Sequence, residues 1–111
     1  MAWTFDNALE DDDITVIERD DSRGDYAIQV GELETIVTIE LRRTLDGKYV
    51  EFRTSHAIKT PTQAGPYRTS RPFDDEAPYA LHRAVDGITN FYRQAVNDGH
   101  TPVESWLVRN D

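Results

Sequence analysis

Chemistry in this chain would have to come from its histidines, from the adjacent Ser55 and His56, or from a run of bases between Phe52 and Phe73. His56, His82 and His100 form no HxH, HxxxH or HExxH spacing, so no local zinc signature is present. Each reads more simply as a surface or cap residue. His82 stands four residues before Asp86, an ordinary helix pair. His100 follows Gly99, where an imidazolium would suit a helix C-terminal dipole. Ser55 and His56 are neighbours on an expected strand. Strand neighbours point to opposite faces, so no serine–base pair is expected there. The nucleophile motifs GxSxG and SxxK are missing, as are the phosphate loops GxxxxGKS/T and GxGxxG. The acidic run Asp20–Asp25 fails as a calcium loop, because Arg23 lies inside it and its glycine comes one position early. No cofactor is expected. The reading leans away from an enzyme, and a small hydrolase or isomerase using His56 or His82 is the remaining enzymatic alternative.

The bases are a stronger lead. From Phe52 to Phe73 there is no acidic side chain, in a chain whose net charge is −9 from 12 basic and 21 acidic residues. Pro61, Pro66, Pro72 and Gly65 exclude regular structure from much of that stretch. Long irregular segments inside domains are either functional or disordered. The candidate ligand-binding set is His56, Lys59, Tyr67, Arg68, Arg71 and Phe73. Arginine offers paired donors to a phosphate or carboxylate, and the aromatic rings offer stacking. Thr60, Thr62, Thr69 and Ser70 add hydroxyls, and protonation of His56 near pH 6 would add charge. The bland alternative is a solvated connection in which Arg71 balances Asp74 and Asp75. No PxxP spacing occurs, which disfavours an SH3-type ligand.

The overall acidity has its own two readings. One is an acidic mimic or inhibitor of a nucleic-acid-binding protein; the other is solubility through self-repulsion. Direct nucleic-acid binding is disfavoured over most of the surface, since it rests on Lys and Arg. With no cysteine, disulfides and thiolate metal sites are excluded. The start MAWTFDNALEDDD lacks the basic and apolar regions of a signal peptide, and no apolar run reaches the roughly 18 residues of a membrane span. No membrane contact and a cytoplasmic location are therefore expected.

The elements that must position these groups follow from periodicity. Residues 1–13 read as an acidic arm, with Trp3 and Phe5 able to share one face if extended. Ile14–Glu18 and Asp25–Val30 read as strands around an Asp20–Gly24 turn, and Glu34–Arg43 is the strongest strand signal. Asp46-Gly47 signals a two-residue type I′ turn. That turn sets Arg42 against Glu51, Leu41 against Phe52, Glu40 against Arg53 and Ile39 against Thr54. Val37, Ile39, Leu41, Val50 and Phe52 then face the core, and the charged pairs face outward. Residues 59–75 form the Pro/Gly/basic loop. Residues 76–98 form an amphipathic helix, with Leu81, Ala84, Val85, Ile88, Phe91, Tyr92, Ala95 and Val96 on one stripe. Residues 101–111 form a turn at Thr101–Glu104 and a short strand at Ser105–Arg109, although Thr101–Glu104 also fits a helix capping box.

The expected fold is α+β: a single domain, 1–111, in which an antiparallel meander of about four strands, 14–58, packs on one long helix. The function expected is a small non-enzymatic accessory or binding domain, recognising a protein partner or an anionic ligand through 59–73. A homodimer through an open sheet edge is a further expected partner.

Overall fold

Alternation and turn chemistry build the sheet. In the computed structural model, which describes residues 2–110, the strands are β1 (Ile14–Asp20), β2 (Asp25–Val30), β3 (Val37–Arg43) and β4 (Val50–Thr54). They run antiparallel in that order, and the two residues of β6 (Phe73–Asp74) add a fifth strand beside β4. The interval 59–75 is thus not wholly loop. The outer ends of the expected ranges, at 1 and 111, lie outside the described residues.

β3 and β4 pair as the Asp46-Gly47 signal required, with Ile39 opposite Thr54, Glu40 opposite Arg53, Leu41 opposite Phe52 and Arg42 opposite Glu51. The turn itself differs. Only Gly47 has positive φ (75°), so Asp46 does not adopt a type I′ conformation. The loop spans four residues instead, closed by the Thr44 N–H donating to the Tyr49 carbonyl at 2.9 Å. The Asp46 carboxylate accepts from the Thr44 hydroxyl at 2.6 Å and from the Lys48 N–H at 3.0 Å, which holds it in this local turn. Two extra loop residues shared equally between the strands leave the register unchanged.

The outward charges also pair differently from the cross-strand expectation. Arg42 reaches sideways to Asp25 on β2 at 2.7 Å and to Glu40 at 3.3 Å, not to Glu51. It donates as well to the carbonyls of Arg23 and Leu41, and these acceptors fix its direction.

The inner face of the sheet lies on α2 (Ala77–Asn97). Ile28, Val30, Val37, Ile39, Leu81 and Val85 are almost wholly excluded from solvent. Each such side chain contributes roughly 1.5–3 kcal/mol by burial. Val96 falls off the expected stripe and is exposed, whereas Thr89 lies fully buried.

The N-terminal segment is not a solvated arm. Phe5–Ala8 form a short helix, α1, capped by the Thr4 hydroxyl, which accepts the Asn7 N–H at 3.0 Å. Asp11 accepts the Thr89 hydroxyl at 2.9 Å, and Arg93 binds both Asp13 (2.8 Å) and Asp11 (3.2 Å). An acidic run reads as solvated only until a cation from elsewhere in the chain reaches it. Trp3 stacks on His82 with ring centroids 3.8 Å apart, while Phe5 packs on the core.

The tail forms a second small sheet. β5 (His56–Ile58) pairs antiparallel with β7 (Leu107–Arg109). The strand begins two residues later than expected, because Glu104–Trp106 form a single 3-10 turn that buries Trp106. The Glu104 carboxylate caps the loop between β2 and β3 rather than its own turn. It accepts the N–H of Glu34 (2.9 Å), the N–H of Thr35 (2.9 Å) and the Thr35 hydroxyl (2.7 Å).

The Thr35 hydroxyl, followed by those backbone N–H groups, holds the Glu104 carboxyl below its ordinary range. A carboxylate depressed in the folded state stabilises above its unfolded pKa, near 4.3, and that contribution is lost as pH falls through the folded value. Glu104→Gln is therefore expected to lower the urea midpoint at pH 7 and to lower it less at pH 3. An equal loss at both pH values would contradict this role. Among the described residues, no helix is long and apolar enough to cross a membrane.

Candidate functional site

A groove of about 670 Å³ opens where β4 and β5 meet the segment 67–72 and the middle of α2. Its strand wall is Phe52, Arg53, Thr54 and His56; its loop wall is Tyr67, Arg68 and Pro72; its helix wall includes Arg83, Asp86 and Gly87.

Local structure explains why the segment folds back here. The Tyr67 N–H donates to the Ile58 carbonyl at 3.0 Å, and the Gln63 side chain donates to the same oxygen at 3.0 Å. The Tyr67 ring then rests on α2, 5.1 Å from the Phe91 ring. Gly87 gives it room, since a Cβ at that position would lie 3.3 Å from the Tyr67 ring. Glycine inside a helix costs about 1 kcal/mol relative to alanine, and here the tyrosine occupies the missing side chain's space. Arg83 anchors the other end of the segment. It donates to the Phe73 carbonyl at 2.8 Å, bridges to Asp74 at 3.3 Å and lies 5.2 Å over the Phe52 ring.

The candidate set divides. His56, Tyr67 and Arg68 come together in the groove, while Lys59, Arg71 and Phe73 do not line it. The Lys59 N–H serves the second sheet by donating to the Trp106 carbonyl at 2.8 Å. Arg71 lies 5.2 Å over the ring of Phe73, which itself packs on Tyr49. The groove adds Arg53, Arg83 and Asn110, none of which belonged to the set. The sequence pattern places Arg53 in an outward pair with Glu40 and gives no sign of Arg83. Gly87, alone in an otherwise helical pattern, was the one signal of a close approach at this place.

The serine and histidine require a correction. Ser55 Oγ lies 2.7 Å from His56 Nδ1, although the two are adjacent. Ser55 sits at the bend between β4 and β5, so strict strand alternation does not hold there. Its Oγ also accepts the Thr38 N–H at 2.8 Å. Oγ keeps a second lone pair as well as its proton, so the tautomer of the ring decides which atom of this pair donates. Desolvation, and then the charge of Arg109, push the His56 pKa below its ordinary value. Protonation of the ring is therefore displaced to lower pH than in a free imidazole. Among the described residues no carboxylate hydrogen-bonds this ring, so the pair lacks the third group that orients a catalytic base.

The arginines give the groove its electrostatic character. Arg68 Nε donates to Asn110 Oδ1 at 2.9 Å, and Asn110 Nδ2 donates to the Thr54 carbonyl at 3.0 Å. This leaves the paired terminal nitrogens of Arg68 open among the described residues. Salt bridges there occupy Arg19, Arg23, Arg42, Arg83 and Arg93, but neither Arg53 nor Arg68. Two acids share the lining, Glu40 and Asp86, and Glu40 is engaged by Arg42. Among the described residues no group of three His, Cys, Asp or Glu side chains could hold a metal.

Fold and groove together define a two-layer α+β domain with a basic cleft beside the outer part of its sheet. Comparison of the chain with protein-family models, curated proteins and solved structures finds no match.

Proposed function

We propose that this chain is a non-enzymatic binding domain that recognises an anionic ligand, or an anionic group of a protein partner, in the groove beside β4. The carrying observation is that Arg53 and Arg68 line this groove without a carboxylate partner among the described residues, in a chain of 21 acids and 12 bases. Arg43, Arg71 and Arg109 make no salt bridge among the described residues either, so what sets Arg53 and Arg68 apart is that both line one groove. Arg68 supports the reading further, because Asn110 orients its guanidinium through Nε and leaves the bidentate edge for a ligand.

Titration with inorganic phosphate, followed by the amide shifts of Thr54 and Arg68, tests this. Arg53→Gln combined with Arg68→Gln is expected to weaken binding at least about tenfold, as loss of charge-assisted hydrogen bonds implies. Lys48→Gln, at the tip of the hairpin, is expected to leave binding unchanged. A double variant that binds phosphate as the parent does would overturn the proposal.

The other readings draw less support. Many of the acids that a nucleic-acid mimic would present are held by arginines: Asp6 and Asp21 by Arg19, Asp25 by Arg42, Asp11 and Asp13 by Arg93. For a histidine enzyme, His82 is stacked on Trp3 and does not line the groove. A homodimer through β1 meets a register break between Val16 and Glu18, a bulge of the kind that blunts edge pairing. The cysteine-free composition supports a cytoplasmic setting.

A further inference from the structure

We infer that the occupant of the groove is a guanine mononucleotide, with its phosphate at Arg53 and Arg68, its base on the Tyr67 ring and the N–H edge of that base at Asp86. This rests on the anion-binding reading above and names the class of ligand.

The groove is larger than its arginines need. Its volume of about 670 Å³ is of the size that holds small organic ligands, roughly 300–1,000 Å³. A bare phosphate on Arg53 and Arg68 would leave the helix side of it to water.

Contacts order the lining from helix to strand. Gly87 meets the Tyr67 ring, which would lie 3.3 Å from a Cβ at that position. The next residue, Arg68, is tied by its Nε to Asn110, and Asn110 is tied to Thr54. Arg53 precedes Thr54 on β4. Asp86, beside Gly87, thus marks the helix end, the two arginines mark the strand end, and the tyrosine ring lies between. Tyr67 is 42% exposed, so a stacking partner can reach its ring.

Asp86 is a free acid in this arrangement. His82, one turn before it, stacks on Trp3 with ring centroids 3.8 Å apart instead of pairing with it. Arg83 turns to the Phe73 carbonyl and to Asp74. Among the described residues Asp86 forms no salt bridge, with these or with the other arginines of the lining. An ionised carboxylate only accepts hydrogen bonds. It repels a second anionic group and favours a guest whose far end carries donors.

Guanine supplies those donors in the right pattern. Its N1–H and its 2-amino N–H are parallel and match the two oxygens of one carboxylate. Adenine and cytosine set a ring acceptor beside their amino group, and uracil flanks its N–H with carbonyls. Each of these would turn a lone pair toward Asp86. At the other end, a phosphate monoester carries about −1.5 to −2 charges at pH 7, which two guanidiniums balance.

The test uses the full chain and four probes: inorganic phosphate, ribose 5-phosphate, guanosine monophosphate, and inosine monophosphate, which lacks the 2-amino group. Guanosine monophosphate is expected to bind at least about tenfold more tightly than phosphate or ribose phosphate, and about tenfold more tightly than the inosine nucleotide. It should also shift the Gly87 amide, which phosphate leaves unmoved. Asp86→Asn is expected to erase the preference for guanosine over inosine while binding phosphate at least as well as the parent, since it removes a repelling charge. Asp86 is exposed, so this variant folds as the parent does. A guanosine nucleotide that binds no better than phosphate would overturn the nucleotide and leave the anion-binding reading standing. Equal binding of the guanosine and inosine nucleotides, or an unchanged preference in Asp86→Asn, would overturn the placing of the guanine edge at Asp86. Failure of all four probes would remove both proposals.

Discussion

Gly31→Ala is expected to destabilise the fold by about 2–4 kcal/mol, combining backbone strain with forced displacement of a packed ring. Gly31 has φ +52°, a conformation that side-chain-bearing residues rarely adopt. It also lies directly beneath the Tyr92 phenol, which a Cβ would overlap. That ring has no easy escape: Tyr92 is buried, its hydroxyl oxygen accepts the Glu32 N–H at 3.1 Å, and its ring centroid lies 5.9 Å from that of Trp106. The Gly31 N–H is itself engaged, donating to the Asp13 carbonyl at 2.6 Å, so the turn cannot simply lift away. Urea denaturation would measure the loss. Combined with Tyr92→Ala, the glycine substitution should cost much less than it does alone, because only the φ strain remains. A loss under about 0.5 kcal/mol in the single variant, within the range of ordinary surface substitutions, would show that the turn relaxes freely.

Trp106→Ala is expected to cost about 3–5 kcal/mol, the usual loss for a buried tryptophan. Its effect should reach the groove. Trp106 is 4% exposed, and its carbonyl accepts the Lys59 N–H beside the β5–β7 pairing. The residues just beyond it carry Asn110, which holds both the Thr54 carbonyl and Arg68. Loosening the anchor should therefore speed hydrogen exchange at the His56–Ile58 amides before the rest of the sheet opens, and weaken phosphate binding. If those amides exchange only by global unfolding in the variant, the second sheet does not open as a separate unit and this link to the site fails.

The local parts of the fold were legible in the sequence. Asp46-Gly47 set the β3–β4 register even though the loop around it is longer than two residues, because register depends on where the loop is centred. The stripe from Leu81 to Ala95 marked the buried face of α2 for a similarly local reason. The groove was only half legible. The basic segment was conspicuous, and His56, Tyr67 and Arg68 do line one cavity. Its shape, however, comes from contacts between distant positions: Arg68 with Asn110 is 42 residues apart, and Asn110 with Thr54 is 56. No periodicity encodes such pairs. Ser55 misled for the opposite reason, since a one-residue bend cancelled an alternation rule that holds on both sides of it.

Pro72 has a consequence for how this protein behaves in crowded solution. Open sheet edges are the usual templates for fibril growth, because each added strand presents a fresh edge to the next. Here the outer edge of β1 is broken by a bulge, and the edge of β4 beyond β6 is closed by Pro72 on one side and the Asn110 amide on the other. A gap one residue long cannot propagate a ladder. The proline that ends β6 thus also keeps β4 from seeding polymerisation.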